Sequence, residues 1–290
     1  MDPVPVPAEA PRRMWTLFEP VHAVTYFAPQ ARAAFEAAGL RGFWRGYFAG
    51  RSAPLGPTGP GPVYATFFGF QPAMVARALP DVWQRAAPGE VLQARLHGAR
   101  AALGDLDADP DALVRAARLA RRATEGLDPA GRTLAAANLD LPWPADPAGT
   151  LWQASTILRE HRGDGHVAAL LTAGLDGVGA VVWRAARDGT RAVLQPARGW
   201  TDEQWAAATG RLAAQGWLDA AGAVTGTARD AYAEVERITD ELATAPWRRL
   251  GTTERAELAA LLTPLAHAVR RRYLPDANPI GLPPLPGTAA

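Results

Sequence analysis

The sequence predicts a mostly α-helical chain built as two helical halves, the second carrying a small β-hairpin. Three observations predict it. Helical patterns dominate between the two ends, and residues that cap or break helices fall between those patterns. The run Gln215-Gly-Trp-Leu-Asp-Ala-Ala-Gly-Ala-Val-Thr225 reads as a hairpin whose turn centres on Ala220 to Gly222.

Both ends are Pro-rich, so 1–13 and 275–290 are expected to be disordered tails. Between them a helix is expected at 14–26. A second spans 29–38, with Pro29 in its first turn and Gly39 as its C-terminal cap, and a third spans 43–51. The stretch 53–63 holds Pro54, Gly56, Pro57, Gly59, Pro60, Gly61 and Pro62 and reads as a loop. Helices follow at 72–79, 89–103 and 111–125, the last capped by Asp109 with Pro110 at its first position, and then a short one at 131–138. The Pro-interrupted string Leu141-Pro-Trp-Pro-Ala-Asp-Pro147 reads as a connection. It divides an aromatic-rich helical domain, 14–142, from a second domain, 143–274. The second domain holds helices at 150–162 and 165–173 and a mixed segment at 179–194. A helix at 201–215, with Thr201 and Gln204 spaced as a capping box, leads into the hairpin. Long helices at 227–242 and 252–273 follow, separated by Pro246. Helix, recognition-like helix, hairpin and long helix is the order of a winged helix-turn-helix, which makes the hairpin a wing.

Composition excludes several functions. Thirty Lys plus Arg stand against 29 Asp plus Glu, a net charge of +1, so no large one-signed field surrounds the molecule and a strongly electrostatic nucleic-acid binder is disfavoured. There is no cysteine, which removes disulfides, thiolate metal sites, iron-sulfur ligation and a cysteine nucleophile, and fits a reducing, cytoplasmic setting. All basic residues other than histidine are arginine; without lysine there is no Schiff base, Walker lysine or Ser-Lys dyad. Ser52 and Ser155 are the only serines, and no Gly-x-Ser-x-Gly elbow holds either. Gly56 to Gly61 alternates with proline, which lacks the N–H a phosphate cradle needs. No apolar run approaches the roughly 20 residues of a membrane span, so no membrane partner is expected.

Two polar strings remain as candidate sites. All eight phenylalanines lie between Phe18 and Phe70, joined by Trp15, Tyr26, Trp44, Tyr47 and Tyr64. Most of this is core packing, but Glu19, His22, Tyr26, Arg45, Tyr47 and Arg51 are interleaved with it, and polar tips among aromatics are what fix a ligand's orientation. His22 and Tyr26, four apart, share one helical face. The ligand-binding set is therefore His22, Tyr26, Arg45, Tyr47 and Arg51. The second string is His161-Arg-Gly-Asp164-Gly-His166. On a continuous helix its histidines lie roughly 140° apart. A break at Gly163 or Gly165 would instead converge His161, Asp164 and His166 as an acid-base set, the catalytic candidates. The competing reading makes Asp164 the cap of a helix at 165–173. Neither string reads best as a metal site, and no cofactor is identified.

The strings Glu19-Pro-Val-His22-Ala-Val-Thr-Tyr26-Phe, Arg41-Gly-Phe-Trp-Arg45-Gly-Tyr47-Phe-Ala-Gly-Arg51, Leu158-Arg-Glu-His161-Arg-Gly-Asp164-Gly-His166 and Gly199-Trp-Thr-Asp-Glu-Gln-Trp205 together resemble an actinobacterial family of SalTA-type helix-turn-helix proteins. The second half is similar to the winged helix of MarR-type regulators. The resemblance spans nearly the whole ordered chain and implies a fold, but no reaction.

Asp202 and Glu203 head the recognition-like helix, and the hairpin offers no cation before Arg229. Carboxylates facing phosphates argue against tight DNA binding. The expected function is recognition of a small, largely apolar molecule between the halves, with His161, Asp164 and His166 lining the same cavity as His22 and Tyr26. Two alternatives are a ligand-responsive, MarR-like transcriptional regulator and an enzyme of specialised metabolism with a His/Asp acid-base site.

Overall fold

The computed structural model describes residues 5–283 and 285. Among them the chain is all-helical: α1 Ala10–Phe27, α2 Pro29–Ala37, α3 Phe43–Ser52, α4 Pro60–Phe67, α5 Pro72–Ala76, α6 Pro88–Gly104, α7 Pro110–Thr124, α8 Thr133–Leu139, α9 Pro147–Thr172, α10 Gly177–Asp188, α11 Arg191–Arg198, α12 Asp202–Ala214, α13 Gly226–Leu242, α14 Ala245–Arg248 and α15 Thr252–Tyr273. No single helix among the described residues is long and apolar enough to cross a membrane.

The mostly helical reading holds, but the β-hairpin wing does not form. No strand exists among the described residues; the expected hairpin is reduced to one isolated antiparallel bridge, Leu218 with Val224. The reason is local. Asp219 turns the chain at once, its carboxylate accepting from the N–H groups of Ala221 and Ala223, both at 2.9 Å. Thr225, next after the bridge, is already committed to α13, its hydroxyl accepting from the Ala228 N–H at 3.2 Å. One residue on either side is left to pair, too few for a strand.

Several boundaries also move. The first helix opens at Ala10, with Pro11 near its start, so 10–13 are helical; residues 1–4, 284 and 286–290 of the expected tails lie outside the described residues. Part of the expected loop 53–63 is helix, because Pro60 occupies the first turn of α4, where a missing N–H costs nothing. Helices expected at 150–162 and 165–173 are one helix, α9, which runs unbroken through Gly163 and Gly165. Gly165 sits in a tight place there: a Cβ would lie 2.8 Å from the Arg132 guanidinium and 3.1 Å from Leu242. The mixed segment 179–194 lies in α10 and the first half of α11.

Central α9 packs against α1, α6, α7, α8 and α13. The largest apolar core joins Leu17 and Phe18 of α1, Leu119 of α7, Trp152 and Leu158 of α9, Trp247 of α14 and Leu262 of α15. Helices from both expected domains thus share a core, across the boundary placed at 142/143. A second core lies under α3 to α6 around Phe48, Phe67 and Phe70, and a third joins the end of α9 to α10 through α13 around Trp183 and Trp205. Fully burying one such apolar side chain is worth about 1.5–3 kcal/mol, so α9 is held from every side and has no solvated face along its first half.

Candidate functional site

Where α9 passes α1 and α3, its buried face turns polar. Glu160 is 1% exposed and accepts a two-pronged contact from Arg51 of α3, Nε to Oε1 and a terminal nitrogen to Oε2, both 2.9 Å. Arg159 adds a third contact to Oε2 at 2.8 Å and lies 3.6 Å from Glu19. Glu19 also accepts from the Trp15 indole at 3.0 Å. Charges this deep persist only when paired and hydrogen-bonded. Burial alone would raise the Glu160 carboxyl, but Arg159 and Arg51 outweigh it and hold it below the usual carboxylate range. Glu19 goes the other way: burial dominates and raises it.

Beside this network runs a relay on α1. His22 Nδ1 lies 3.0 Å from Thr156 Oγ1 and His22 Nε2 lies 2.8 Å from the Tyr26 hydroxyl. Thr156 spends its own proton on the Trp152 carbonyl, 2.9 Å away. Its oxygen must therefore accept from His22, which fixes the tautomer: Nδ1–H donates to Thr156, and Nε2 accepts from Tyr26 O–H. Burial first and Arg159 second push His22 well below the ordinary histidine range, and burial raises Tyr26 above the usual tyrosine range. Both are neutral near pH 7. The pair orients a hydroxyl and holds no mobile charge.

These groups close on a small cavity lined by His22, Thr25, Tyr26, Phe35, Gly46, Tyr47, Gly50, Arg51, Arg95 and Glu160, with about 10 Å³ of free space, room for about one water. A second slot of about 20 Å³ shares Thr25, Tyr26, Phe35, Gly46 and Tyr47 with it and continues past Leu40 to Phe43, which is exposed. Phe35 of α2 stands between them, its ring laid against α3. There Gly46 and Gly50 leave the necessary room: a Cβ would sit 3.1 Å from the ring at Gly46 and 2.6 Å at Gly50.

Four of the five expected ligand-binding residues, His22, Tyr26, Tyr47 and Arg51, meet at this cavity. Arg45 does not; it lies at the surface, 3.6 Å from Asp81. His161, Asp164 and His166 do not line it either, because the unbroken α9 sends them elsewhere. Asp164 accepts from the N–H groups of Leu134 and Ala135, at 3.0 and 2.9 Å, and so caps α8 rather than a helix at 165–173. Burial nevertheless raises it to about 6. His166 Nδ1 meets Thr239 of α13 at 3.0 Å. The His161 carbonyl accepts from Arg132, while its own Nδ1 has no hydrogen-bond partner among the described residues. Burial, aided by neighbouring arginines, lowers both histidines to about 4. The described residues contain no group of three or more His, Asp or Glu able to hold a metal.

Glu160, Arg95 and Thr156 belong to the site and were not singled out from the sequence. One signal existed: Arg51 in an aromatic stripe needs a buried anion, and Glu160 is a carboxylate two residues after the apolar run Ile157-Leu158.

The helix expected as recognition-like is α12. Exposed along α12 are Asp202, Glu203, Ala206, Ala207, Gly210, Arg211, Ala213 and Ala214. Asp202 is paired with Arg191 at 2.9 Å and Arg211 with Asp176 at 2.7 Å. A continuous set of contacts links this region to the cavity: Tyr47 packs on Phe70, the Arg198 guanidinium of α11 lies 4.4 Å from the Phe70 ring, and the Trp200 indole donates to the Gly69 carbonyl at 3.0 Å.

Among known protein families, the chain matches one described as a helix-turn-helix family over residues 11–275. No curated protein and no solved structure matches the chain.

Proposed function

Because the chain belongs to a helix-turn-helix family, we propose that it is a helix-turn-helix protein whose task is to bind a small, largely apolar molecule in the cavity between α1, α2, α3 and α9, and that it does not bind DNA strongly. Within that family we place it with the SalTA-type proteins, on the strings around His22, Arg45 and His161. One observation carries the binding reading: Tyr26, Arg51 and Glu160 bring oriented polar tips to one spot among Phe35, Tyr47 and Phe67, the pattern of a ligand pocket. Binding is favoured over acid-base catalysis because His22 and Tyr26 are both held neutral and Glu160 is fully engaged by arginines.

Native mass spectrometry of freshly purified protein tests the reading, beside a mobility-shift assay on random duplex DNA at about 150 mM salt. The expected outcome is a bound organic molecule lost on Tyr47→Ala, and no submicromolar DNA binding. A bare chain that binds random DNA tightly would overturn it.

A second reading, a ligand-responsive regulator, is supported by the contacts from Tyr47 through Phe70 and Arg198 to α11. It requires the cavity ligand to change affinity for a specific DNA site, and by linkage the DNA to change affinity for the ligand by the same factor.

A further inference from the structure

Taking the cavity to be a binding site, we infer that its ligand carries a carboxylate, received by Arg95, with an apolar body lying between Tyr26, Phe35 and Tyr47. Arg95, on α6, is 5% exposed and lines the cavity. Its terminal nitrogens donate to the Gly50 carbonyl at 3.0 Å and to Asn138 Oδ1 at 3.2 Å, and its guanidinium lies 5.1 Å from the Trp152 ring. All these partners are neutral. Its Nε has no hydrogen-bond partner and its charge no carboxylate partner among the described residues. Arg51, Arg159 and Arg162 each have a carboxylate in contact.

The charge balance points the same way. Of the three arginines that line the cavity or contact Glu160, namely Arg51, Arg95 and Arg159, only Arg51 and Arg159 meet a carboxylate. Glu160 is already shared by Arg51 and Arg159, and Glu19 by Trp15 and Arg159. One positive charge is left uncompensated, and a buried unpaired cation is costly. Burial lowers Arg95 to about 10, consistent with a cation whose surroundings do not match it. A monoanion offsets the Arg95 charge, and a carboxylate is the monoanion whose two oxygens match a guanidinium edge. His22 cannot supply a second contact to the anion, since its Nδ1–H is held by Thr156 and its Nε2 is an acceptor. The walls are aromatic, and the route in is the slot between α2 and α3 that Phe35 closes, so the ligand class is a small aromatic or alicyclic carboxylic acid.

The test uses benzoate and its uncharged isostere benzamide, measured by calorimetry and thermal shift on the full chain, on Arg95→Gln, and on Phe35→Ala, in which the slot is open. The expected result is benzoate binding about 10- to 100-fold tighter than benzamide, the usual worth of one hydrogen-bonded charge contact, with the preference lost in Arg95→Gln. The comparison on the unaltered chain stands even if Arg95→Gln fails to fold. Equal binding of the two probes overturns the carboxylate and leaves the cavity reading intact. A preference that survives Arg95→Gln places the anion elsewhere and also overturns it. If neither probe binds the natural chain or Phe35→Ala, both the carboxylate and the cavity reading fall.

Discussion

Replacing Glu160 by Gln should be among the most destabilising near-isosteric changes available in this chain. The side chain is 1% exposed and accepts three arginine contacts between 2.8 and 2.9 Å. Glutamine keeps the shape and one acceptor but removes the charge, which leaves Arg51 and Arg159 buried without their shared anion. Breaking a buried pair from one side costs about 3–5 kcal/mol, against a total stability of about 5–15 kcal/mol for a typical protein. At roughly 2–4 °C per kcal/mol for chains of 150–250 residues, the melting temperature should fall by roughly 6–20 °C. Thermal and urea unfolding, followed in parallel by circular dichroism and tryptophan fluorescence, would read this and check for a single transition. Two further variants locate the cause. Arg51→Met with Glu160→Leu should lose less than the two single changes summed, because both charges of the pair leave together. Arg237→Ala, which breaks an exposed pair with Glu234, should leave the midpoint in place. The reasoning is refuted if Glu160→Gln shifts the midpoint no more than Arg237→Ala does, for then the network is as weakly coupled as a solvated one.

Three other outcomes are expected. Gly50→Ala should destabilise the chain despite the better helix former, because its Cβ would meet the Phe35 ring at 2.6 Å and overpacking costs about 1–3 kcal/mol. Gly210→Ala, in α12 with nothing within 4 Å of the new methyl, should gain up to about 1 kcal/mol; urea midpoints of the two variants check the pair, and a stabilising Gly50→Ala would show that Phe35 is free to leave. Stability should fall as pH drops from 6.5 toward 4. His161 and His166, held near 4 when folded, refuse protons that the unfolded chain accepts below about 6.5. Asp164, raised to about 6, opposes the loss between about pH 6 and 4, and a flatter urea-midpoint profile in His166→Gln would identify one contributor. Tyr26→Phe removes the proton that His22 Nε2 accepts and leaves a buried acceptor unpaired, costing about 1–3 kcal/mol, which thermal unfolding at pH 7 would detect.

The helices were legible because their ends are written in single residues. Thr201 and Gln204 do form a reciprocal cap, each side chain meeting the other's backbone N–H at 3.2 Å. Asp109 caps α7, and Gly174, Gly189 and Gly199 follow helix ends with positive φ. The wing was not legible as absent, because Leu218 to Val224 has the residues of a hairpin turn. What ends it is that Asp219 holds the N–H groups of Ala221 and Ala223 while Thr225 caps α13 at Ala228, which depends on where the neighbouring helices start. Likewise Gly163 and Gly165 look like breakers in isolation, yet burial between α8 and α13 more than offsets their low propensity.

The candidate site was half legible, for a reason that distinguishes its two strings. His22 and Tyr26, and likewise Tyr47 and Arg51, lie four apart on single helices, so local periodicity alone places each pair on one face. The string His161 to His166 offers no such guarantee, and the structure spreads its residues around α9. Glu160 turns to Arg51, Asp164 to the start of α8, Arg162 to Asp240 at 2.7 Å, and His166 to Thr239, while the His161 imidazole Nδ1 has no hydrogen-bond partner among the described residues. Closely spaced polar residues on a buried helix face different neighbours, because successive side chains point about 100° apart. Such a string therefore marks a helix surrounded by other elements before it marks chemistry. Only Glu160 turns toward the cavity, and it is the one whose partner, Arg51, had already been identified from the other half of the chain. A buried arginine read from sequence calls for a search along the rest of the chain for a mid-helix carboxylate, and by the same logic Arg95, for which no such carboxylate is found among the described residues, is where a ligand's charge is missing.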